Sequence, residues 1–272
     1  MPISAKVSER ISTQIKKYTP ILNELLTKDV NEADTSAIIR SILCDVLGYD
    51  NFKEITAEKA IKGAKADFAV VVDGTVRFLI EAKAVGITLN DHMVRQVVNY
   101  GTDQGTDWVL LTNGVNWNLY KIIFGQPIEE NLLCEIDVLK STPKSAKLAE
   151  SIECFGNLSR ENFSTVSMNA YFLQKQLTSK FAVAAVLLTE PMLKEVRHKL
   201  RKMSPGLKVD VEYLETLLSN EVIKRELIDS DAGKTAQSLI KRLQKKLAKD
   251  KEEKEPEEKS PDQPVVPGTA QS

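Results

Sequence analysis

The chain has 272 residues, with 37 Lys and Arg against 38 Asp and Glu, 42% hydrophobic and 28% charged residues, the balance of a globular protein of one large or two small domains. That composition excludes disorder throughout, and the net charge of −1 excludes the globally basic surface that steers a protein to phosphates. No apolar run is long enough to cross a bilayer and the first residues lack the apolar stretch of a signal peptide, so a soluble cytoplasmic protein without membrane contact is expected.

Charge is uneven along the chain: residues 1 to 140 carry 15 basic and 19 acidic side chains, a balance of −4, and the remainder carries +3. Any phosphate contact in the first half must therefore be local. Cys44, Cys134 and Cys154 are odd in number and scattered, which supports neither a disulfide framework nor a zinc ribbon, and reduced thiols are expected.

The opening stretch to Lys28 places Ile11, Ile15, Ile21, Leu22, Leu25 and Leu26 at roughly helical spacing interrupted by Pro20, which predicts one kinked helix or two short ones. Glu32 to Leu47 has a wide apolar stripe, with Gly48 placed to end the helix in a left-handed conformation. The period then changes. Ile55 to Ile61, Ala66 to Val72 and Val76 to Ala84 are short apolar runs separated by Lys62-Gly63 and Asp73-Gly74, which predicts three strands. Met93, Val94, Val97, Val98 and Tyr100 return to helical spacing with Gly101 as a stop, and Trp108 to Thr112 and Trp117 to Ile123 predict two further strands joined at Asn113-Gly114. The expected class is α/β: helix, three-strand meander, helix and two strands, in one domain over residues 1–140.

From Ser141 a linker leads into a mainly helical region over residues 147–249, with helices at Leu148 to Phe155, Ser167 to Leu188, Pro191 to Met203, Val211 to Leu218 and Ala232 to Lys249. Glu221 to Leu227 fits strand or helix. Residues 250–272 are Lys, Glu, Pro, Ser and Gln with almost no apolar residue, which predicts a disordered tail.

Phosphate-cradling, dinucleotide, zinc-protease and serine-hydrolase motifs are absent, and His92 and His198 each stand alone among polar neighbours. ATP is not an expected partner. What stands out is Lys65-Ala66-Asp67 followed by Ile80-Glu81-Ala82-Lys83, which puts acids inside otherwise apolar strands, where charge is costly. A two-residue turn at Asp73-Gly74 would set Asp67 opposite Ile80 and scramble the faces. A three-residue loop with Gly74 left-handed is expected instead, because it gathers Phe68, Val70, Phe78 and Ile80 on one face and Asp67, Glu81 and Lys83 on the other. Two adjacent carboxylates repel unless a divalent cation lies between them, and hard oxygen ligands select Mg²⁺ or Mn²⁺. Such a cation beside a lysine suits phosphodiester hydrolysis. A surface ion pair of Lys83 with a carboxylate on an edge strand accounts for the same residues.

Asp67, thirteen intervening residues and Glu81-Ala82-Lys83 resemble the PD-(D/E)-x-K nuclease superfamily. Their surroundings resemble the N-terminal domain of type I restriction enzyme R subunits: Asn31-Glu32-Ala33-Asp34-Thr35, Leu47-Gly48-Tyr49, Gln96 and Tyr100 four apart, and Leu111-Thr112-Asn113-Gly114 with Trp117. The resemblance covers about residues 25 to 125, with Ala66 where the family carries proline, and no helicase motor follows. It implies a restriction-endonuclease-like core and a metal-dependent DNA endonuclease in which Asp67, Glu81 and Glu32 hold Mg²⁺ or Mn²⁺. Lys83 completes the catalytic set, and Gln96 and Tyr100 support the site or touch substrate. Tyr100 also fits a plain core position, and Glu32 an acid favoured by the helix dipole. Lys59, Lys62 and Lys65, with Lys53, are candidates for the DNA backbone; a solvated edge is the other reading. Basic residues Lys241, Arg242, Lys245, Lys246 and Lys249 of the last helix invite the same two readings. The alternative function is a catalytically idle nucleic-acid-binding or partner-docking module, with the helical region meeting a protein partner.

Overall fold

A computed structural model describes residues 3–61, 64–143 and 145–252, with side chains at all of these except 58–61, 64, 65 and 250–252. The first helix, α1 (Ala5–Lys28), begins where the Ser4 hydroxyl accepts the Val7 N–H, and it buries Val7, Ile11, Ile15, Tyr18 and Leu22 along one stripe. It runs unbroken through Pro20, where a break or kink had been expected. An interior proline costs about 3 kcal/mol, whereas each large apolar side chain fully buried contributes ~1.5–3 kcal/mol, so the stripe outweighs the lost hydrogen bond. Helix α2 (Glu32–Asp45) starts under an Asn31 cap that accepts the Asp34 N–H, and Gly48 with φ 83° turns the chain away as expected.

Six strands follow: β1 (Ile55–Ile61), β2 (Ala64–Val72), β3 (Thr75–Ala82), β4 (Trp108–Thr112), β5 (Asn116–Ile123) and β6 (Glu129–Asp137). They form one sheet in sequence order, antiparallel throughout except for the parallel pair β3 and β4. That parallel step needs a crossover, which α3 (Asp91–Gln104) supplies. Gly101 does not stop this helix. Gly105, with φ 69°, ends it, and a Cβ at Gly101 would collide with Ile122 and Val109, so Gly101 lets the helix lie close against the sheet. Strand β6 was not anticipated, because Glu129, Glu130, Asn131, Glu135 and Asp137 mask its few apolar positions.

The sheet separates two cores. One face carries Phe68, Val70, Phe78, Ile80 and Trp117, packed with α1, α2 and α4 (Ala146–Leu158). The other buries Ala69, Leu79, Val109 and Leu111 with Val94, Val97 and Val98 of α3. Cys134 of β6 and Cys154 of α4 form a disulfide with a Cα–Cα separation of 6.5 Å, a correction to the expected reduced thiols, while Cys44 is free.

A compact first unit spans Met1–Lys175 rather than ending near residue 140. Cys154, Phe155 and Leu158 of α4 and Met168 and Tyr171 of α5 (Thr165–Leu177) are buried in the core they share with the sheet, which moves the boundary. The second unit, Gln176–Ser272, contains α6 (Lys180–Leu187), α7 (Glu190–Met203), α8 (Val211–Leu217), α9 (Glu226–Asp229) and α10 (Asp231–Glu252). Its small core joins Ala182 and Ala185 of α6 to Ala236 and Ile240 of α10. The expected long helix from Ser167 divides at Ser179, whose hydroxyl caps α6. Leu218–Val222 forms a π-helical turn, which places the ambiguous segment from Glu221 among helices. Helix α10 extends to Glu252, so residues 250 to 252 are helical, and the remainder of the predicted tail lies outside the described residues. Among the described residues no helix is long and apolar enough to cross a membrane.

Candidate active site

The hairpin of β2 and β3 reaches the expected division of faces by another route. Its turn has two residues, Asp73 with φ 50° and Gly74 with φ 73°, the doubly left-handed geometry that fits the twist of paired strands. Val72 and Val71 pair with Thr75 and Val76, after which Arg77 is extra and Val70 and Phe68 pair with Phe78 and Ile80. This bulge supplies the odd residue that had been assigned to a three-residue loop.

Asp67 and Glu81 come next in this register, where the described pairing of β2 with β3 stops. There the carboxylate of Asp67 takes over from the backbone ladder and accepts the Ala82 N–H at 2.7 Å. Glu81 is 3% exposed. Its Oε1 accepts from Lys83 Nζ at 2.5 Å, and its Oε2 is buried with no hydrogen-bond partner. Burial first, then the charge of Asp67, pushes the Glu81 carboxyl up to about 7, with the Lys83 hydrogen bond opposing the rise. Burial also works against the Lys83 charge, but its bond to Glu81 and the charges of Glu81, Glu32 and Asp67 outweigh that and hold its pKa above the usual lysine value. The Lys83 N–H donates to Thr112 O at 2.8 Å, which ties the site to β4.

Glu32 is the exposed first residue of α2, and its charge acts on both Glu81 and Lys83. The end of α2 is brought there by Thr35, a buried residue whose hydroxyl accepts the Val85 N–H at 3.1 Å. Sequence reasoning treated Thr35 only as part of a helix start. Gln96 Nε2 donates to Tyr100 Oη at 2.8 Å on α3, over the same sheet face, and both residues are half-buried. Lys62 lies outside the described residues. Lys59 and Lys65 are described by backbone alone, paired with Ala66 and Ala60 in the outer hairpin.

The donor set suits a hard divalent cation in two respects: it offers two neighbouring carboxylates, and one buried Glu81 oxygen lacks a partner. Opposing this, Glu81 Oε1 is taken by Lys83, and among the described residues no group of three or more His, Cys, Asp or Glu has metal-holding geometry.

Residues 38–131 match the family model described as type I restriction enzyme R protein N terminus (HSDR_N). Over that stretch the chain is similar to the N-terminal region of R proteins. The match includes Asp67, Glu81, Lys83, Gln96 and Tyr100, whereas Glu32 precedes it. No curated protein matches the chain. Among solved structures, the chain is similar to the type IIG restriction endonuclease BpuSI at 12% identity and a TM-score of 0.32, over 76% of this chain and 29% of that one.

Proposed function

We propose that Asp67, Glu81 and Lys83 form the centre of a metal-dependent DNA endonuclease of the R-protein N-terminal kind, acting in the cytoplasm. The observation that carries this reading is the buried Glu81 carboxylate, which keeps one oxygen unpartnered beside Asp67 at the point where the hairpin ladder ends. Mg²⁺ or Mn²⁺ held by Asp67 and Glu81, with Glu32 at the rim, would supply a Lewis acid for a phosphoryl oxygen and lower the pKa of a water. Asp67 is oriented for that work by the Ala82 N–H. Lys83, kept charged by the surrounding acids, orients the attacking water and stabilises negative charge developing on the phosphate. Gln96 and Tyr100 brace the site from α3, Lys59, Lys62 and Lys65 attract the DNA backbone, and the helical second unit meets a protein partner.

The test is cleavage of plasmid and single-stranded DNA by the purified protein with Mg²⁺, Mn²⁺ or EDTA, beside Asp67→Ala and Lys83→Ala. Metal-dependent cuts lost in both variants support the endonuclease. A second reading, a binding or partner-docking module with an idle centre, is favoured by the Glu81–Lys83 ion pair, which neutralises the buried carboxylate without a cation. Folded protein that binds DNA or a partner but never cuts supports that module.

A further inference from the structure

Strand β3 ends at Ala82 and α3 begins at Asp91, so Lys83 opens the connection between them, residues 83–90. Three backbone N–H groups where the strand gives way to this connection are each held by a different element. The Asp67 carboxylate of β2 takes the Ala82 N–H at 2.7 Å, Thr112 O of β4 takes the Lys83 N–H at 2.8 Å, and the Thr35 hydroxyl of α2 takes the Val85 N–H at 3.1 Å. The Val85 carbonyl is held as well, by Asn113 Nδ2 at 3.3 Å, and its side chain is buried in the core that contains Leu22 and Ile39. Only Ala84 separates Lys83 from this clamped residue.

Both clamping side chains are buried, and each makes a second connection. The Thr35 hydroxyl donates to Asn31 O at 2.9 Å, so one hydroxyl links Val85 to the residue that precedes Glu32. The run from Val85 N–H through Thr35 Oγ1 to Asn31 O sets how far the first turn of α2 stands from the connection that carries Lys83. A hydroxyl suits this place because it accepts and donates at once. Asn113 uses its whole amide: Nδ2 also donates to Ile87 O at 2.8 Å, and Oδ1 accepts the N–H groups of Val115 and Asn116 at 3.1 and 2.7 Å. It thereby fastens the same connection to the turn that follows Thr112, the residue whose carbonyl takes the Lys83 N–H.

We propose that Thr35 and Asn113 are positioning residues of the nuclease centre, Thr35 acting through Glu32 and Asn113 through Lys83, and that together they hold these two groups at one fixed separation beside Asp67 and Glu81. Neither is assigned a contact with metal or DNA. A displacement of about 1 Å at a reacting centre costs about 10²-fold in rate, so cleavage should register the loss of either clamp even where the fold survives. The two clamps should also differ in kind: Thr35 governs a carboxylate at the rim of the metal, and Asn113 governs a lysine that is no ligand.

The proposal rests on the nuclease reading, and one set of variants of the full-length protein separates the two. Plasmid cleavage is measured against Mn²⁺ concentration for wild type, Thr35→Val, Thr35→Ser, Asn113→Asp, Glu32→Gln and the Thr35→Val, Glu32→Gln double variant, beside hydrogen exchange of residues 83–87 without metal and thermal melts. Thr35→Val should speed exchange at Val85, lower cleavage by about 10–10²-fold and require more Mn²⁺, while Thr35→Ser keeps wild-type behaviour. Asn113→Asp, which sets an oxygen against the Val85 and Ile87 carbonyls, should lower cleavage by a similar factor at an unchanged Mn²⁺ requirement, and it keeps the test open if Thr35→Val fails to fold. In the Glu32→Gln background Thr35→Val should cost little more. Faster exchange with wild-type cleavage, or an Asn113→Asp protein that cuts like wild type, overturns the positioning roles and leaves the nuclease standing. A Thr35→Val loss that is undiminished without the Glu32 charge, or a Mn²⁺ requirement that shifts alike in both clamps, reduces them to general supports of the fold and overturns the proposal. Folded wild type that never cuts overturns the nuclease reading and the positioning roles with it.

Discussion

Lys83, just past the end of β3, and Glu81, within it, are two residues apart, and each sets the state of the other. Replacing Lys83 with alanine removes the only hydrogen bond that Glu81 Oε1 accepts in the described site, but a carboxyl already pushed to about 7 can take a proton instead of remaining a stranded charge. We expect Lys83→Ala to lower cleavage by about 10²–10³-fold while destabilising the fold by only about 1–3 kcal/mol; rates beside thermal melts check both. A second pair gives a pH signature away from the site. Hydrogen bonds from Lys17 first, then from Tyr18, hold Asp45 below the usual carboxylate range against its partial burial. A depressed carboxylate contributes stability that is present above its unfolded value and disappears as pH falls through the folded one. Asp45→Asn should therefore flatten the acid limb of a stability curve taken from pH about 5 downward, and an unchanged limb would count against the Lys17–Asp45 pairing.

At the scale of elements, the β2–β3 hairpin and α3 hold the site's residues in place by different means. Asp67, Glu81 and Lys83 were legible in the sequence because charge inside apolar strands is conspicuous, and the division of faces followed from their parity. The device that produces it was not legible: a bulge at Arg77 leaves no mark in composition, and Asp73-Gly74 fits loops of either length. Strand β6 was hidden by its acids. Deleting Arg77 should move Glu81 to the opposite face and abolish folding, as judged by circular dichroism. One residue inserted beside Gly74 restores the parity, so in the Arg77 deletion it should act as a suppressor. In α3, Gly101→Ala forces the helix away from Ile122 and Val109. A loss of about 1–3 kcal/mol in denaturant unfolding is expected, together with weaker cleavage as Gln96 and Tyr100 shift.

At the scale of the molecule, the first unit runs to Lys175 because α4 and the start of α5 close the core over Trp117 and Trp108. A fragment of residues 1–175 should melt cooperatively, and one of residues 1–140, lacking Cys154, Phe155, Leu158, Met168 and Tyr171, should not. The sequence placed the boundary early because a Ser, Thr, Pro and Lys stretch resembles a linker whether or not the chain packs back afterwards. The segment that matches the family, residues 38–131, is shorter at both ends than the unit that folds. It omits α1 and α4, which together with α2 cover one face of the sheet, and it omits Glu32 and the Asn31 cap. Similarity and foldability thus have different edges in this chain: a gene fragment trimmed to the matching segment would carry Asp67, Glu81 and Lys83, yet it would emerge from the ribosome with much of that face bare.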